Sequence, residues 1–234
     1  MPIFQLHLHA AEKLKYHTTI QHFDDFRLGT VFPDAMHLTM LNADKHVVYA
    51  KDEKECVDFI DMLHFADRLS SNVRIPNFIG FNTKYFKMLN FSDFLRGCIF
   101  HLMLDYFNNI RWNDMCRTND DGTCTIVDSS GVALRQFDNV EDLLDYKYQW
   151  QMSYAIDKAY NILKPEEVSV SAQLFADCWF NTPKTDIMKS IEVMAEIDAH
   201  NRATCFAECN NQDFFCRVID DAINTFLGLE ASWR

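Results

Sequence analysis

Helix-breaking residues are scarce in this chain: six Gly and five Pro among 234 residues. So few turn-formers cannot supply the many tight connections of a sandwich or barrel, and they leave long stretches free for helices. Basic residues are also outnumbered, 22 Lys and Arg against 34 Asp and Glu, giving a net charge of −12. That field repels polyanions and excludes a nucleic-acid-binding module, although divalent cations held in a pocket would reverse it locally. No apolar run is long enough to span a membrane, and the N-terminus has no basic region followed by an apolar stretch. The chain therefore reads as soluble, unexported and cytoplasmic, with no transmembrane segment. Eight Cys are present but no Cys-x-x-Cys pair, which favours reduced, buried thiols over a disulfide framework. Cys205, Cys209 and Cys216 fall on helical spacings but have no fourth soft-metal ligand nearby.

What is abundant is apolar: 48% of the residues are hydrophobic. A chain of this length can bury one large core, and no linker, repeat or low-complexity tract divides it. The expected architecture is all-α, a single multi-helix domain over residues 1–234 with about seven helices or more. A first amphipathic helix is expected within residues 4–20. Asp24 and Asp25 cap a second, which Pro33 interrupts or ends. Cys56, Phe59, Ile60 and Leu63 trace a helical stripe over 52–69, and Ser92 or Asp93 opens a helix to about Phe107. Residues 119–139 break the pattern. Asp121-Gly122 and Asp128 to Gly131 mark turns around strand-like segments, predicting a small β-hairpin. Helices over Val140 to Leu163, after Thr182-Pro183, and from Asn210 or Asn211 to a stop at Gly228 complete the chain.

Within the predicted helix over 93–107, His101 and Asp105 stand four residues apart in a segment too apolar to leave them in water. That spacing stacks them on one face, one turn apart. A buried imidazole and carboxylate must be satisfied by each other or by an ion, and the spacing suits two metal ligands on one helix. By itself the pair is a weak signal, since nine His and frequent Asp produce one such spacing by chance.

The pair has company. The segments FQLHL (4–8), LGTVFPDAMH (28–37), DKH (44–46) and FLRGCIFHLMLDY (94–106) resemble, in that order, the zinc-dependent phospholipase C family in its small cytoplasmic bacterial branch. The resemblance covers roughly the first half of the chain. It implies an all-α fold in which His and Asp side chains from several helices gather metal ions in a cleft. Carried over, Asp34, His46, His101 and Asp105 hold one ion, and His7 holds a second with Asp105 bridging. His64 competes with His46 for its place, and His37 is a further alternative. Gly97, one turn before His101, leaves space above the site in this picture. The secreted members of that family hold a third zinc through a further His on the same helix, where this chain has Arg111. They also use a later His and Glu, whereas residues 112–199 here contain no His. One or two ions are therefore expected rather than three. Zinc suits the donors, with manganese or iron as alternatives.

The reaction implied is hydrolysis of a phosphodiester or phosphomonoester, with a small phosphoester or a phospholipid head group as substrate. Asp34 is the expected catalytic carboxylate, and Arg96 and Arg111 the candidates to grip phosphate. The competing reading is a non-catalytic helical domain with a structural metal and a partner-binding cleft. A nucleotide phosphohydrolase built on a His-Asp dipeptide fits worse, because the sequence has no such dipeptide. Oligomeric state has no signature.

Overall fold

The computed structural model describes residues 4–41, 66–68, 74–155 and 212–233. Among them are six helices: α1 (Phe4–Leu14), α2 (Phe23–Leu41), α3 (Phe78–Leu89), α4 (Asp93–Met115), α5 (Val140–Ala155) and α6 (Gln212–Glu230). Five short strands accompany them: β1 (Ala66–Arg68), β2 (Arg74–Pro76), β3 (Cys116–Thr118), β4 (Cys124–Val127) and β5 (Ala133–Phe137). The described residues are mostly helical, as composition indicates.

Helix α4 is the axis of the fold. The Ser92 hydroxyl accepts from the Leu95 N–H at 3.2 Å, the expected cap, and every residue from Asp93 to Asp105 is buried. A helix hydrophobic all round is one enclosed by others. Here α2, α3 and α6 pack against it, and α1 lies against α2. Phe26 of α2, Phe100 of α4 and Phe226 of α6 form a triangle of rings with centroids 5.4–5.7 Å apart. Such edge-to-face and tilted pairs add to the area they bury.

Helices α2 and α4 come into backbone contact at Gly29 and Gly97. A Cβ on Gly97 would lie 2.1 Å from the Phe26 carbonyl oxygen and 2.8 Å from the Gly29 Cα. Gly97 therefore does not leave space above the site; that space is filled by the backbone of α2. The proximity sets Thr30 and Asp34, one and five residues beyond Gly29, against His101 and Asp105.

Pro33 does not end α2, which continues to Leu41. Proline removes only the hydrogen bond that its own N–H would give to the Gly29 carbonyl. Packing of Phe26, Leu28 and Phe32 into the core holds the helix together across that gap. Gly228 likewise does not stop α6, which runs to Glu230. The buried Glu230 carboxylate accepts from the Thr18 hydroxyl at 2.6 Å, the Thr19 hydroxyl at 2.8 Å and the Thr19 N–H at 3.1 Å, tying the α1–α2 connection to the end of α6.

The expected hairpin in 119–139 is present and gains a strand: β3, β4 and β5 form an antiparallel sheet in sequence order. Gly122 and Gly131 take positive φ of 85° and 86° at its two turns, and Asp121 and Asp128 accept backbone N–H bonds within them. The antiparallel pair β1–β2 is not anticipated, and Ala66–Arg68 corrects the far end of the helix expected over 52–69. The rest of that stripe, and residues 156–211, which hold the end of the helix expected to Leu163 and the one expected after Pro183, lie outside the described residues. No described helix is long and apolar enough to cross a membrane.

Candidate metal centre

Three helices deliver four side chains to one point. His7 comes from α1, Asp34 from α2, and His101 and Asp105 from successive turns of α4. All are buried, His7, His101 and Asp105 completely, while Asp34 keeps 4% of its surface exposed. The His7 Nε2 lies 3.3 Å from Asp105 Oδ1 and 3.7 Å from Asp34 Oδ2. The His101 Nε2 lies 3.5 Å from Asp105 Oδ2 and 3.9 Å from Asp34 Oδ1. The two imidazoles stack with centroids 4.1 Å apart and planes 10° from parallel.

The orientation of His101 is set from behind. Its Nδ1 is 2.8 Å from the Thr30 carbonyl oxygen, which can only accept, so the Nδ1–H donates and Nε2 faces the carboxylates. This is the arrangement in which metal-ligating imidazoles are usually held. For His7, neither ring nitrogen has a hydrogen-bond partner among the described residues, although both are buried. A buried, unsatisfied nitrogen is costly and calls for a ligand.

Electrostatics separate the two imidazoles. Burial, reinforced by the charge of His101, pushes the His7 pKa below its usual value, against the pull of the two carboxylates. At His101 burial also opposes the proton, but Asp105 and Asp34 outweigh it and raise the pKa to about 9. Burial would raise Asp105; the imidazoles outweigh it and hold its carboxyl well below the usual carboxylate range. The opposite directions of the two shifts favour a charged imidazole at His101 over one at His7.

The donor set fits a divalent ion. His7, His101 and Asp105 each offer one ligand atom, all within 4.8 Å of one another. Tetrahedral bonds of about 2.0–2.2 Å place neighbouring donors about 3.3–3.6 Å apart. The shortest N···O separations here, 3.3 Å from His7 to Asp105 Oδ1 and 3.5 Å from His101 to Asp105 Oδ2, fall on the two oxygens of one carboxylate, so the imidazoles flank it and small shifts would bring them to a shared ion, with Asp34 slightly farther out. Two imidazoles and carboxylate oxygen suit zinc, manganese or iron, not a soft-thiolate metal.

Of the residues named from sequence, His7, Asp34, His101 and Asp105 converge. His37 lies on α2, three residues past Asp34, with its side chain outside the description, as are His46 and His64 altogether. Arg96 is buried and committed elsewhere: it donates to the Leu89 and Asn90 carbonyls and to Asp93, pairs with Glu230 and lies over Trp233. Arg111 is held by Asp221 of α6 through both Nε and a terminal nitrogen. Both guanidiniums thus already hold carboxylates of the protein, Arg96 buried and Arg111 partly exposed.

Two residues escaped the sequence reading. Asn108 follows Asp105 by three positions and His101 by seven, so it shares their face of α4, and it is buried. Lys147, from α5, is half-buried beside it. The position of Asn108 is readable from helical spacing; that of Lys147 is not, because it depends on how α5 docks. No family model, curated protein or solved structure matches the chain.

Proposed function

We propose that this chain is a metal-dependent phosphoester hydrolase, with zinc as the foremost candidate ion and His7, His101 and Asp105 as the ligands. The observation that carries the reading is the convergence, from separate helices, of two imidazole nitrogens on one buried carboxylate, with neither His7 ring nitrogen making a hydrogen bond of normal geometry among the described residues. Three protein ligands with a further position left for water is the pattern of hydrolytic zinc sites. The choice of phosphoesters rests on the ordered resemblance of the first half of the chain to the zinc-dependent phospholipases C.

A divalent ion bound here supplies acidification of a water molecule and neutralisation of charge on the ester. Asp34 is the residue to orient that water and take its proton. It lies 3.7 and 3.9 Å from the two imidazoles and, at 4% exposed, is the one of the four not completely buried. Thr30 keeps His101 in the tautomer that presents Nε2. Burial of the cluster in α1, α2 and α4 keeps bulk water from competing.

A second reading has its own support: Asp34 completes a set of four protein donors, and a closed four-donor sphere is typical of structural metal. The experiment separates the two. Elemental analysis of protein purified without added metal or chelator should give at least one ion per chain, and a panel of phosphodiesters and phosphomonoesters should then show metal-dependent turnover. One ion per chain with no turnover on any ester would establish the structural reading; no ion would end both.

A further inference from the structure

The arginines expected to hold phosphate already pair with carboxylates, Asp93 and Glu230 for Arg96 and Asp221 for Arg111, and a cation that pairs with none among the described residues stands a turn beyond the ligands. Lys147 reaches from α5 to α4, where its Nζ lies 3.4 Å from Asn109 Oδ1 and 5.3 Å from the centroid of Trp112. The Nδ2 of Asn108 donates to the same Asn109 oxygen at 3.4 Å, so an ammonium and an amide from different helices meet at one atom. Lys147 has no carboxylate within ion-pair distance among the described residues. The Asn108 Oδ1 is buried and also lacks a hydrogen-bond partner among them.

A half-buried ammonium held only by a neutral amide and a ring face is under-compensated. Burial lowers its pKa to about 8, while Asp105 and Cys116 act in the opposite sense. Lys147 thus remains a cation at neutral pH and lies near enough to feel the charge of Asp105. Next to it, Asn108 offers an amide that can donate or accept. An ammonium beside an amide on the ligand face of α4 is complementary to a tetrahedral oxyanion carrying both charged and protonated oxygens.

We propose that Lys147, with Asn108 beside it, is the anion-binding residue of the metal centre and takes the phosphoryl group of an ester or of free phosphate. The inference rests on the metal-centre reading, and the test reads the two separately. Metal content and anion binding are measured on the same samples of wild type, Lys147→Met and Lys147→Arg, using inorganic phosphate and phenylphosphonate, a stand-in for an ester that is not hydrolysed. Loss of one charge-assisted contact should weaken binding of at least one anion about tenfold or more in Lys147→Met. Metal content should stay unchanged, and Lys147→Arg should restore most of the affinity. Tighter binding of the phosphonate would assign the subsite to the ester, tighter phosphate to the released product. Equal affinity in wild type and Lys147→Met, or no binding of either anion by wild type, would overturn the assignment. Absence of metal would count against the centre alone, since the anion comparison can still be made on the same proteins.

Discussion

Gly29 and Gly97 face each other across the crossing of α2 and α4, so close that a Cβ on either would fall within 3 Å of the other's Cα. Their contact positions the centre, because Thr30 and Asp34 reach His101 from the strand of backbone it brings in. Gly97→Ala should cost about 2–4 kcal/mol, since the obstructing atom is a backbone carbonyl and cannot rotate away. Metal affinity should fall with it, although no ligand is changed. Urea unfolding together with metal titration checks this, and an alanine variant as stable as wild type would refute the packing argument.

Removing either imidazole should remove the metal, with unequal effects on the fold. His101→Ala strips the cation from a buried carboxylate and should destabilise the metal-free protein by about 3–5 kcal/mol. His7→Gln removes a ring whose nitrogens make no hydrogen bond of normal geometry among the described residues and whose burial disfavours the charged form, and should cost about 1 kcal/mol. Paired melts and metal analyses of the two variants decide the matter. Equal destabilisation would mean that the proton is not held on His101.

The protonation pattern also fixes a pH optimum for the metal-free fold. His101, raised to about 9, contributes stability that is complete below its ordinary 6.5 and is lost as pH rises through 9. His7, lowered from 6.5, acts oppositely: as pH falls below 6.5 the unfolded chain takes a proton that the folded one refuses. Asp105, held well below 3.8, adds stability that is lost only in strong acid. The pair should place the stability maximum near pH 6.5, with a decline on both sides. Thermal midpoints of metal-free protein across that range provide the check, and a midpoint rising steadily through pH 9 would contradict it. Metal binding just above neutrality should release about one proton per ion, measurable from the dependence of the binding heat on buffer.

Asp34→Asn should leave at least one ion bound and reduce turnover by two orders of magnitude or more, roughly the contribution of a positioned base. The amide keeps the shape of the side chain but cannot take a proton. Single-turnover rates and metal content on the same samples supply the measurement; full activity would remove Asp34 from the chemistry.

Local periodicity made His101, Asp105 and the Ser92 cap legible, because all lie within one helix and its first turn. His7 and Asp34 were reached only through resemblance, since no spacing links α1 and α2 to α4. The double role of Gly97 was half visible: its place one turn before His101 can be read, but its partner Gly29 comes from packing. The partners of Arg96 and Arg111 are not legible for the same reason. They include Glu230 and Asp221, more than a hundred positions away, and a charge near a ligand helix does not announce what it already holds. That Pro33 does not end α2 is not legible either, because the loss of one hydrogen bond is offset by the buried rings of Phe26 and Phe32, which only packing reveals.

His7 belongs to the first helix and His101 to the fourth, so an ion shared between them would bridge two points far apart along the chain. Such a clip closes a loop of roughly ninety residues, and a cross-link of that span restricts the unfolded ensemble far more than it constrains the native one. The centre would then act as a reversible counterpart of a disulfide, in a chain whose Cys98, Cys116, Cys124 and Cys216 remain free thiols.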